Sequence, residues 1–185
     1  MRPVQILVEV KSDFKMDKQI YIIHENDEWV VPLREELKKI NASYKEWHMG
    51  RDKIDSSNIP PNGVFYNRMS ASSHSRGHRY APENTKVVLN WLENHKRRII
   101  NNSSALELEI SKQIQYQELK KHNIRFPKTF FCKDKNSLLE NSMNFDKPFI
   151  TKHNRGGRGL GIKYFNNASE LNKYVNSDQF EPSID

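Results

Sequence analysis

Glycines and cations are concentrated in one short segment of the sequence. Four of the seven glycines lie within residues 156–161, and Lys152, Arg155 and Arg158 surround them. Glycine permits positive φ and a close approach of the backbone to a ligand, and consecutive N–H groups beside fixed cations form a concave anion site. The segment therefore predicts a phosphate-binding loop. The alternative, a flexible hairpin turn, explains two glycines but not four together with two arginines.

The residues after the glycines restrict the type of loop. A P-loop requires Lys and then Ser or Thr after its last glycine, whereas Ile162 follows Gly161 here. A dinucleotide-binding loop opens directly into a helix, but the segment 162–165 is apolar and aromatic, as in a strand. The pattern therefore predicts a strand, a loop and a second strand, with the loop acting as a flap over nucleotide phosphates.

Three segments, taken in order, resemble the ATP-grasp carboxylate–amine ligases. The segment 151–161, TKHNRGGRGLG, is similar to the lysine- and glycine-rich flap of that family, in the style of RimK-type ligases and glutathione synthetase. The segments 98–112 and 124–129 resemble the family's entry into the ATP-grasp region, with a strand ending in Asn, a helix carrying a lysine, and Ile-x-x-Pro-x-Thr. The resemblance covers residues 18–180 and implies the nucleotide ATP.

The resemblance also implies roles for individual residues. Lys112 would contact the nucleotide phosphates, Lys152 would reach the α-phosphate and the adenine side, and the flap glycines would donate N–H groups to the β- and γ-phosphates. By residue type alone, Lys112 is equally a solvated helix lysine, because Lys120 and Lys121 follow on the same helix. No catalytic residue is assigned. The nucleotide-binding candidates are Lys112, Lys152, Arg155, Gly156, Gly157, Arg158, Gly159 and Gly161.

The predicted fold class is α/β. Short β-branched and aromatic runs alternate with helical patterns over residues 18–102, which favours βαβ units and a parallel sheet. The resemblance implies a Rossmann-like pre-ATP-grasp domain there, followed by the N-terminal α+β lobe of an ATP-grasp domain over residues 103–185. Residues 1–17 are expected to form an extension.

Several expectations concern individual elements. Ser104 and Glu107 have the spacing of a capping box at the start of a helix. Val87 and Ile114 are expected to point inward from their helices. The segment 129–131 is expected to be a strand, as the resemblance implies.

The reaction that the resemblance implies joins a carboxylate to an amine through an acyl phosphate, with ADP and phosphate released. Mg²⁺ is the expected second cofactor, with ligands in a second lobe that begins, in the resemblance, about where these 185 residues end. No metal ligand is assigned within this sequence. We therefore expect weak or undetectable ATP binding and no turnover by these residues alone.

A basic loop provides candidates for substrate binding. Arg68, Arg76 and Arg79 follow the run 64–66, and ligands of open α/β sheets bind beyond the carboxyl ends of the strands. Arginine forks suit carboxylates. These three arginines are therefore candidates for holding the substrate carboxylate or lining the phosphate cleft, and the alternative is a solvated basic loop.

Composition excludes some classes of protein. A single cysteine, Cys132, excludes an internal disulfide framework and a cysteine-rich zinc site, and it is interpreted as a small buried apolar residue. No apolar run reaches membrane-span length, so a cytoplasmic protein without a membrane partner is expected. His74 and His78 are four residues apart but lack a nearby third ligand, so a zinc site is not favoured there.

The net charge of +7 leaves two other functions open. A nucleic-acid-binding module would explain the basic excess, but no RNA- or DNA-binding motif accompanies it. A catalytically silent regulatory half-ligase is the other alternative. Self-association is a further partner class, and neither the carboxylate nor the amine is specified by the sequence.

Overall fold

The computed structural model describes residues 19–155, 159 and 161–182, so the expected extension 1–17 lies outside the described residues. These residues form the α/β fold that the sequence predicts. The strands are β1 (Ile20–His24), β2 (Tyr44–His48), β3 (Val64–Asn67), β4 (Arg98–Ile100), β5 (Phe149–Thr151) and β6 (Lys163–Phe165). The helices are α1 (Asp27–Lys39), α2 (Ala81–Asn94), α3 (Ser103–Ile110), α4 (Lys112–Lys121), α5 (Lys135–Ser142) and α6 (Ala168–Val175), with a 3₁₀ helix at Ala71–Arg76.

The first four strands form a parallel sheet in the order β2-β1-β3-β4. Helices α1 and α2 connect parallel neighbours, as βαβ crossovers require. The register places the last residues of β1 and β2, His24 and His48, side by side, and Asn67 ends β3 next to them. Polar residues thus collect at the carboxyl edge of the sheet.

The two faces of this sheet are covered by different helices. Tyr21, Ile23 and Phe65 pack with Val88, Leu89 and Leu92 of α2 in what we call the first core. Ile22 points to the opposite face and packs with Val30 and Leu37 of α1. The alternation of side chains along β1 therefore decides which helix each residue meets.

Helix α3 begins differently from the capping-box prediction. The Asn102 side chain caps the helix by accepting a hydrogen bond from the Ala105 N–H at 3.1 Å. The predicted cap at Ser104 is wrong, because Ser104 already lies inside the helix. Leu106, 1% exposed, belongs to the first core, so α3 packs on the parallel sheet although it follows the proposed boundary at residue 102.

The remaining strands and helices form a smaller unit. Strands β5 and β6 pair antiparallel, with Phe149 opposite Phe165. Phe165 packs with Leu171 and Val175 of α6. The side chain of Asn167 caps α6 by accepting a hydrogen bond from the Glu170 N–H at 3.0 Å. The predicted strand–loop–strand arrangement around the glycines is confirmed.

Three expectations about elements are wrong. Val87 is 60% exposed, because the buried stripe of α2 runs through Val88 and Leu92 and places Val87 beside it. Ile114 is 36% exposed on the outer side of α4. Residues 124–132 form no strand, since they pair with no strand among the described residues.

Leu106→Ala is expected to lower the free energy of unfolding by about 2–5 kcal/mol, because it leaves a cavity in the first core. Urea unfolding followed by tryptophan fluorescence measures this loss, since Trp47 and Trp91 pack against that core. Ile40→Ala is the control: Ile40 is 71% exposed, and its replacement should change stability by less than about 0.5 kcal/mol. Equal effects of the two substitutions would contradict the packing of α3 on the first core.

Candidate functional site

A cleft of about 1000 Å³ lies between α4, the irregular segment 127–134 and the β5–β6 hairpin. Among the described residues, six lysines and two acidic residues line it, so this lining is electropositive. The lysines are Lys112, Lys128, Lys133, Lys135, Lys152 and Lys163, and the acids are Asp134 and Glu181. Five phenylalanines and two tyrosines supply an apolar wall beside these charges.

Lys152 follows β5 directly and reaches across the cleft to α4. Its Nζ donates a hydrogen bond to the Tyr116 hydroxyl at 2.7 Å. The Tyr116 ring stacks on Phe126 at a centroid distance of 5.1 Å and meets Phe131 at 6.1 Å. The lysine charge therefore lies at the rim of a rigid aromatic surface, and Lys152 itself remains exposed.

Lys112 is joined to the glycine-rich loop through Asn154. The Asn154 carbonyl accepts hydrogen bonds from both the backbone N–H and the Nζ of Lys112, each at 3.3 Å. The Asn154 side-chain oxygen also accepts from the Gln113 N–H at 3.0 Å. Asn154 thus satisfies two of the free N–H groups at the start of α4 and fixes the beginning of the loop next to Lys112.

The glycine-rich loop is described in part. Gly156, Gly157 and Arg158 lie outside the described residues, and their proposed roles stay predictions. Gly159 and Gly161 have φ of +76° and +69°, values that residues other than glycine rarely adopt. A Cβ on Gly161 would also lie 2.7 Å from the His153 ring. Two of the predicted glycines therefore serve the loop conformation that the sequence indicates.

Arg155 points away from the cleft toward α2. Its guanidinium donates to both carboxylate oxygens of Glu83, at 2.7 and 3.3 Å, and to the Arg79 carbonyl at 3.1 Å. The buried Nε of Arg155 has no hydrogen-bond partner within the described part of the chain. A role of Arg155 in nucleotide binding stays a prediction, and it requires the arginine to leave Glu83.

The three arginines proposed for the substrate lie in different surroundings. Arg76 donates to both oxygens of the buried Glu25 carboxylate, and its guanidinium lies 4.6 Å from the centre of the Trp29 ring. Burial raises the pKa of Glu25, but the hydrogen bonds and charges of Arg76 and His78 outweigh it and lower the pKa overall. Arg76 therefore neutralises a buried carboxylate in this conformation.

Arg68 and Arg79 lie in more open surroundings than Arg76 does. Arg68 is exposed and lines a cavity of about 370 Å³ at the carboxyl ends of β3 and β4, with Asn67, Ser70 and Glu109 among its neighbours. The Arg79 guanidinium lies 5.9 Å from the centre of the Tyr80 ring. Arg68 lines this smaller cavity, whereas neither Arg76 nor Arg79 lines it or the main cleft.

Cys132 lines the main cleft and is half-buried. Burial raises the pKa of its thiol, and the Asn141 amide donates a weak hydrogen bond to Sγ at 3.8 Å. A raised pKa keeps the thiol protonated and poorly nucleophilic. The expected full burial of Cys132 is therefore wrong, because its side chain lies at the cleft wall, but its raised pKa agrees with a residue that is not a nucleophile.

Sequence reasoning missed two residues of the cleft. In the sequence, Tyr116 is a single aromatic residue on a polar helix. Asn154 lies within the glycine-rich segment 151–161, where the sequence indicates no separate role for it. Their importance comes from contacts across 36 and 42 residues of chain, to Lys152 and Lys112 respectively. The spacing of apolar residues along a helix could not reveal either contact, because it reports only on neighbours in the sequence.

One group of described residues has the composition of a metal site. His24, Asp27 and His48 each offer one ligand atom, and these atoms lie within 4.8 Å of one another. None of the three lines the main cleft. In the described ranges, no helix combines the length and the apolar character needed to cross a membrane.

Comparison with known proteins gives matches to solved structures alone. No protein-family model matches the sequence, and no curated protein matches it significantly. A RimK-domain ATP-grasp protein from Sphaerobacter thermophilus matches 90% of this chain and 65% of its own, with a TM-score of 0.60 and 12% identity. The ATP-grasp ligase PsnB, solved with a minimal precursor, Mg and ADP, matches 89% of this chain and 60% of its own, with a TM-score of 0.54 and 14% identity.

N5-carboxyaminoimidazole ribonucleotide synthetase from Thermotoga maritima also matches, over 86% of this chain and 44% of its own, with a TM-score of 0.51 and 17% identity. This chain thus spans less than two thirds of the length of each of these proteins. At such low identities the likeness concerns the fold alone. Over most of its length, this chain has the fold of the ATP-grasp ligases.

Proposed function

We propose that the cleft binds ATP and that the chain acts as part of an ATP-dependent carboxylate–amine ligase. The observation that carries the proposal is the meeting of Lys112 and Lys152, 40 residues apart, on one cleft beside the glycine-rich loop. The fold shared with ATP-grasp ligases supports the same assignment. The alternative of a nucleic-acid-binding module has no comparable support, because the cations that meet here line a concave cleft.

The chemistry of the cleft suits both ends of ATP. Lysine cations attract the triphosphate, and two unit charges about 4 Å apart interact by roughly 4 kcal/mol near a protein surface but only about 1 kcal/mol in water. The aromatic wall formed by Tyr116 and Phe131 offers an apolar surface for the adenine ring. Lys152 bridges the two regions, because its Nζ touches the Tyr116 hydroxyl.

In the proposed reaction, an oxygen of the substrate carboxylate attacks the γ-phosphorus of ATP, and the bond from that phosphorus to the ADP oxygen breaks. The amine then attacks the acyl carbon, phosphate leaves, and the amine loses a proton. Lys112 and Lys152 would hold the phosphates in place and offset their negative charge during the transfer. Arg68, at its own cavity, is the candidate for orienting the carboxylate substrate.

The described cleft does not fit a Mg²⁺ site. Mg²⁺ prefers octahedral oxygen coordination with carboxylates, and the two carboxylates here have other partners. Asp134 accepts from the Ser137 N–H at 2.8 Å as the cap of α5, and Glu181 lies 3.7 Å from Lys163. The proposal therefore assigns the Mg²⁺ ligands to a second lobe that the described residues do not include.

The proposal has four finer parts. They are a relationship to RimK-type and glutathione synthetase-like ligases, a division into domains at residues 102–103, a cytoplasmic location and self-association. The RimK-domain protein among the structural neighbours supports the first of these. The separate parallel and antiparallel sheets are compatible with the second, with α3 as a helix that packs on the preceding domain.

Lys152→Gln is expected to weaken ATP binding by about tenfold, since hydrogen bonds to charged groups contribute roughly 1.5–3 kcal/mol. The wild-type affinity should be only millimolar, because an open cleft leaves the phosphates hydrated and screened by salt. Nuclear magnetic resonance titration with ATP measures such weak binding and maps it onto residues. Amide signals of Lys112, Tyr116 and Asn154 should shift.

Lys39→Gln is the matched control, because Lys39 is 68% exposed and pairs only with its helix neighbour Glu36 among the described residues. It should leave ATP binding unchanged. Signals that shift around Lys39 as strongly as around Lys152, or no shifts in the cleft at millimolar ATP, would contradict the proposed site.

Glu83→Gln is expected to raise ATP affinity by about two- to fivefold if Arg155 turns to the phosphates. The reason is that a half-exposed ion pair contributes roughly 0.2–1 kcal/mol, which Arg155 must lose when it leaves Glu83. Arg155→Gln should lower the affinity, and the same titration measures both variants. Unchanged affinity in both would show that Arg155 only ties the loop to α2.

A further inference from the structure

Two histidines and an aspartate meet at the carboxyl edge of the parallel sheet. His24 ends β1, His48 ends β2 beside it, and Asp27 begins α1. The two imidazole rings contact edge to face at a centroid distance of 5.1 Å. The ligand atoms of the three side chains all lie within 4.8 Å of one another, although the sequence separates them by up to 24 positions.

The Nδ1 atom of His24 is a second and independent observation. His24 is 1% exposed, and its Nδ1 has no hydrogen-bond partner among the described residues. Its Nε2 lies 3.1 Å from the Glu46 carboxylate. An ionised carboxylate only accepts, so in the neutral ring Nε2 carries the proton and Nδ1 presents a lone pair. A buried acceptor without a partner is costly, and a bound cation would satisfy it.

We propose that His24 Nδ1, an imidazole nitrogen of His48 and the Asp27 carboxylate bind a divalent transition-metal ion such as Zn²⁺. Two imidazoles with one carboxylate form a common ligand set for Zn²⁺ and related ions, whereas Mg²⁺ and Ca²⁺ prefer oxygen alone. The contact from His24 Nε2 to Glu46 is also typical, because metal-binding histidines donate their other N–H to a carboxylate.

Binding requires small movements of two of the ligands. Tetrahedral coordination brings donor atoms to roughly 3.5 Å from one another, so distances of up to 4.8 Å within the cluster must shorten by as much as about 1.3 Å. Asp27 has a side chain that is 43% exposed in the first turn of α1 and can shift. His48 Nδ1 accepts a 3.2 Å hydrogen bond from the Gly50 N–H. Coordination breaks this bond, because either Nδ1 itself binds the ion or Nε2 binds it and the ring proton moves to Nδ1.

Charges around the cluster both assist and oppose the ion. Hydrogen bonds from Arg51 and Arg34 lower the pKa of Asp27 to about 2, so the carboxylate is ionised. Burial, followed by the charge of Arg51, lowers the pKa of His48 and favours its neutral ring. The same two arginines repel a cation, whereas the carboxylates of Glu46 and Glu25 attract it. The Glu25 carboxylate also contacts Arg76 and His78, which reduces its attraction for the ion.

The direct test is binding of Zn²⁺ and Co²⁺ to the chain without a histidine tag. One equivalent of Co²⁺ should produce the intense visible absorption of a four-coordinate ion, and Zn²⁺ should displace it. Asp27→Asn and His48→Gln should each weaken Zn²⁺ binding by at least tenfold. Arg51→Gln should strengthen it severalfold, because a repelling charge is removed. Circular dichroism verifies that the variants are folded.

Controls come from the same residue types elsewhere. His122 pairs with Glu118 on the exposed surface of α4, and Asp55 accepts hydrogen bonds in an exposed loop. His122→Gln and Asp55→Asn should leave Zn²⁺ binding unchanged. Loss of binding in His122→Gln with retention in both cluster variants would overturn the proposal.

A measurement on the wild-type chain tests the same site without any variant that could fail to fold. Imidazole ¹⁵N resonances report directly on coordination, and saturating Zn²⁺ should shift the His24 Nδ1 signal while His74 and His95 stay unchanged. His24 and His48 signals that do not move at millimolar Zn²⁺ would overturn the site, even if the variants fail to fold.

Discussion

The contact between Asn154 and the start of α4 organises the candidate nucleotide site. Asn154 accepts hydrogen bonds from Lys112 and Gln113 through its carbonyl and side-chain oxygens. These two residues begin α4, where the first N–H groups have no partner within the helix. The glycine-rich loop therefore begins next to one lysine, and β5 delivers Lys152 to the same cleft. Without this contact the hairpin and α4 would be joined mainly by the Lys152–Tyr116 hydrogen bond and the packing around the cleft. The Asn154 contact thus places Lys112 and the start of the loop at the cleft that Lys152 also lines.

Two of the candidate cations are held by carboxylates. Arg76 holds the buried Glu25, and Arg155 holds Glu83 with two hydrogen bonds, so both guanidiniums are already paired. Lys112 donates to the Asn154 carbonyl and Lys152 to the Tyr116 hydroxyl, and both side chains line the main cleft. In the proposed site a phosphate therefore meets these two lysines directly, whereas Arg155 must first leave Glu83.

The sequence could predict those features that depend on local patterns. Alternating apolar strands and helical patterns predicted the parallel sheet, and the glycine cluster predicted the hairpin loop, in which Gly159 and Gly161 have positive φ. It could not predict that Arg76 would meet Glu25, 51 residues away, or that His24 and His48 would be register partners. The expected strand at 129–131 was wrong because a strand needs a neighbour, and none is present there among the described residues. Long-range pairing, rather than residue type, decided each of these outcomes.

The central claim is that the cleft around Lys112 and Lys152 holds the phosphates of ATP. An acyl-phosphate derivative of ATP transfers its acyl group to lysines beside the bound phosphates, and peptide mass spectrometry identifies the acylated residues. The predicted result is acylation concentrated on Lys112 and Lys152 and suppressed by free ATP. Acylation spread over exposed lysines such as Lys39 and Lys121, with no protection by ATP, would contradict the claim.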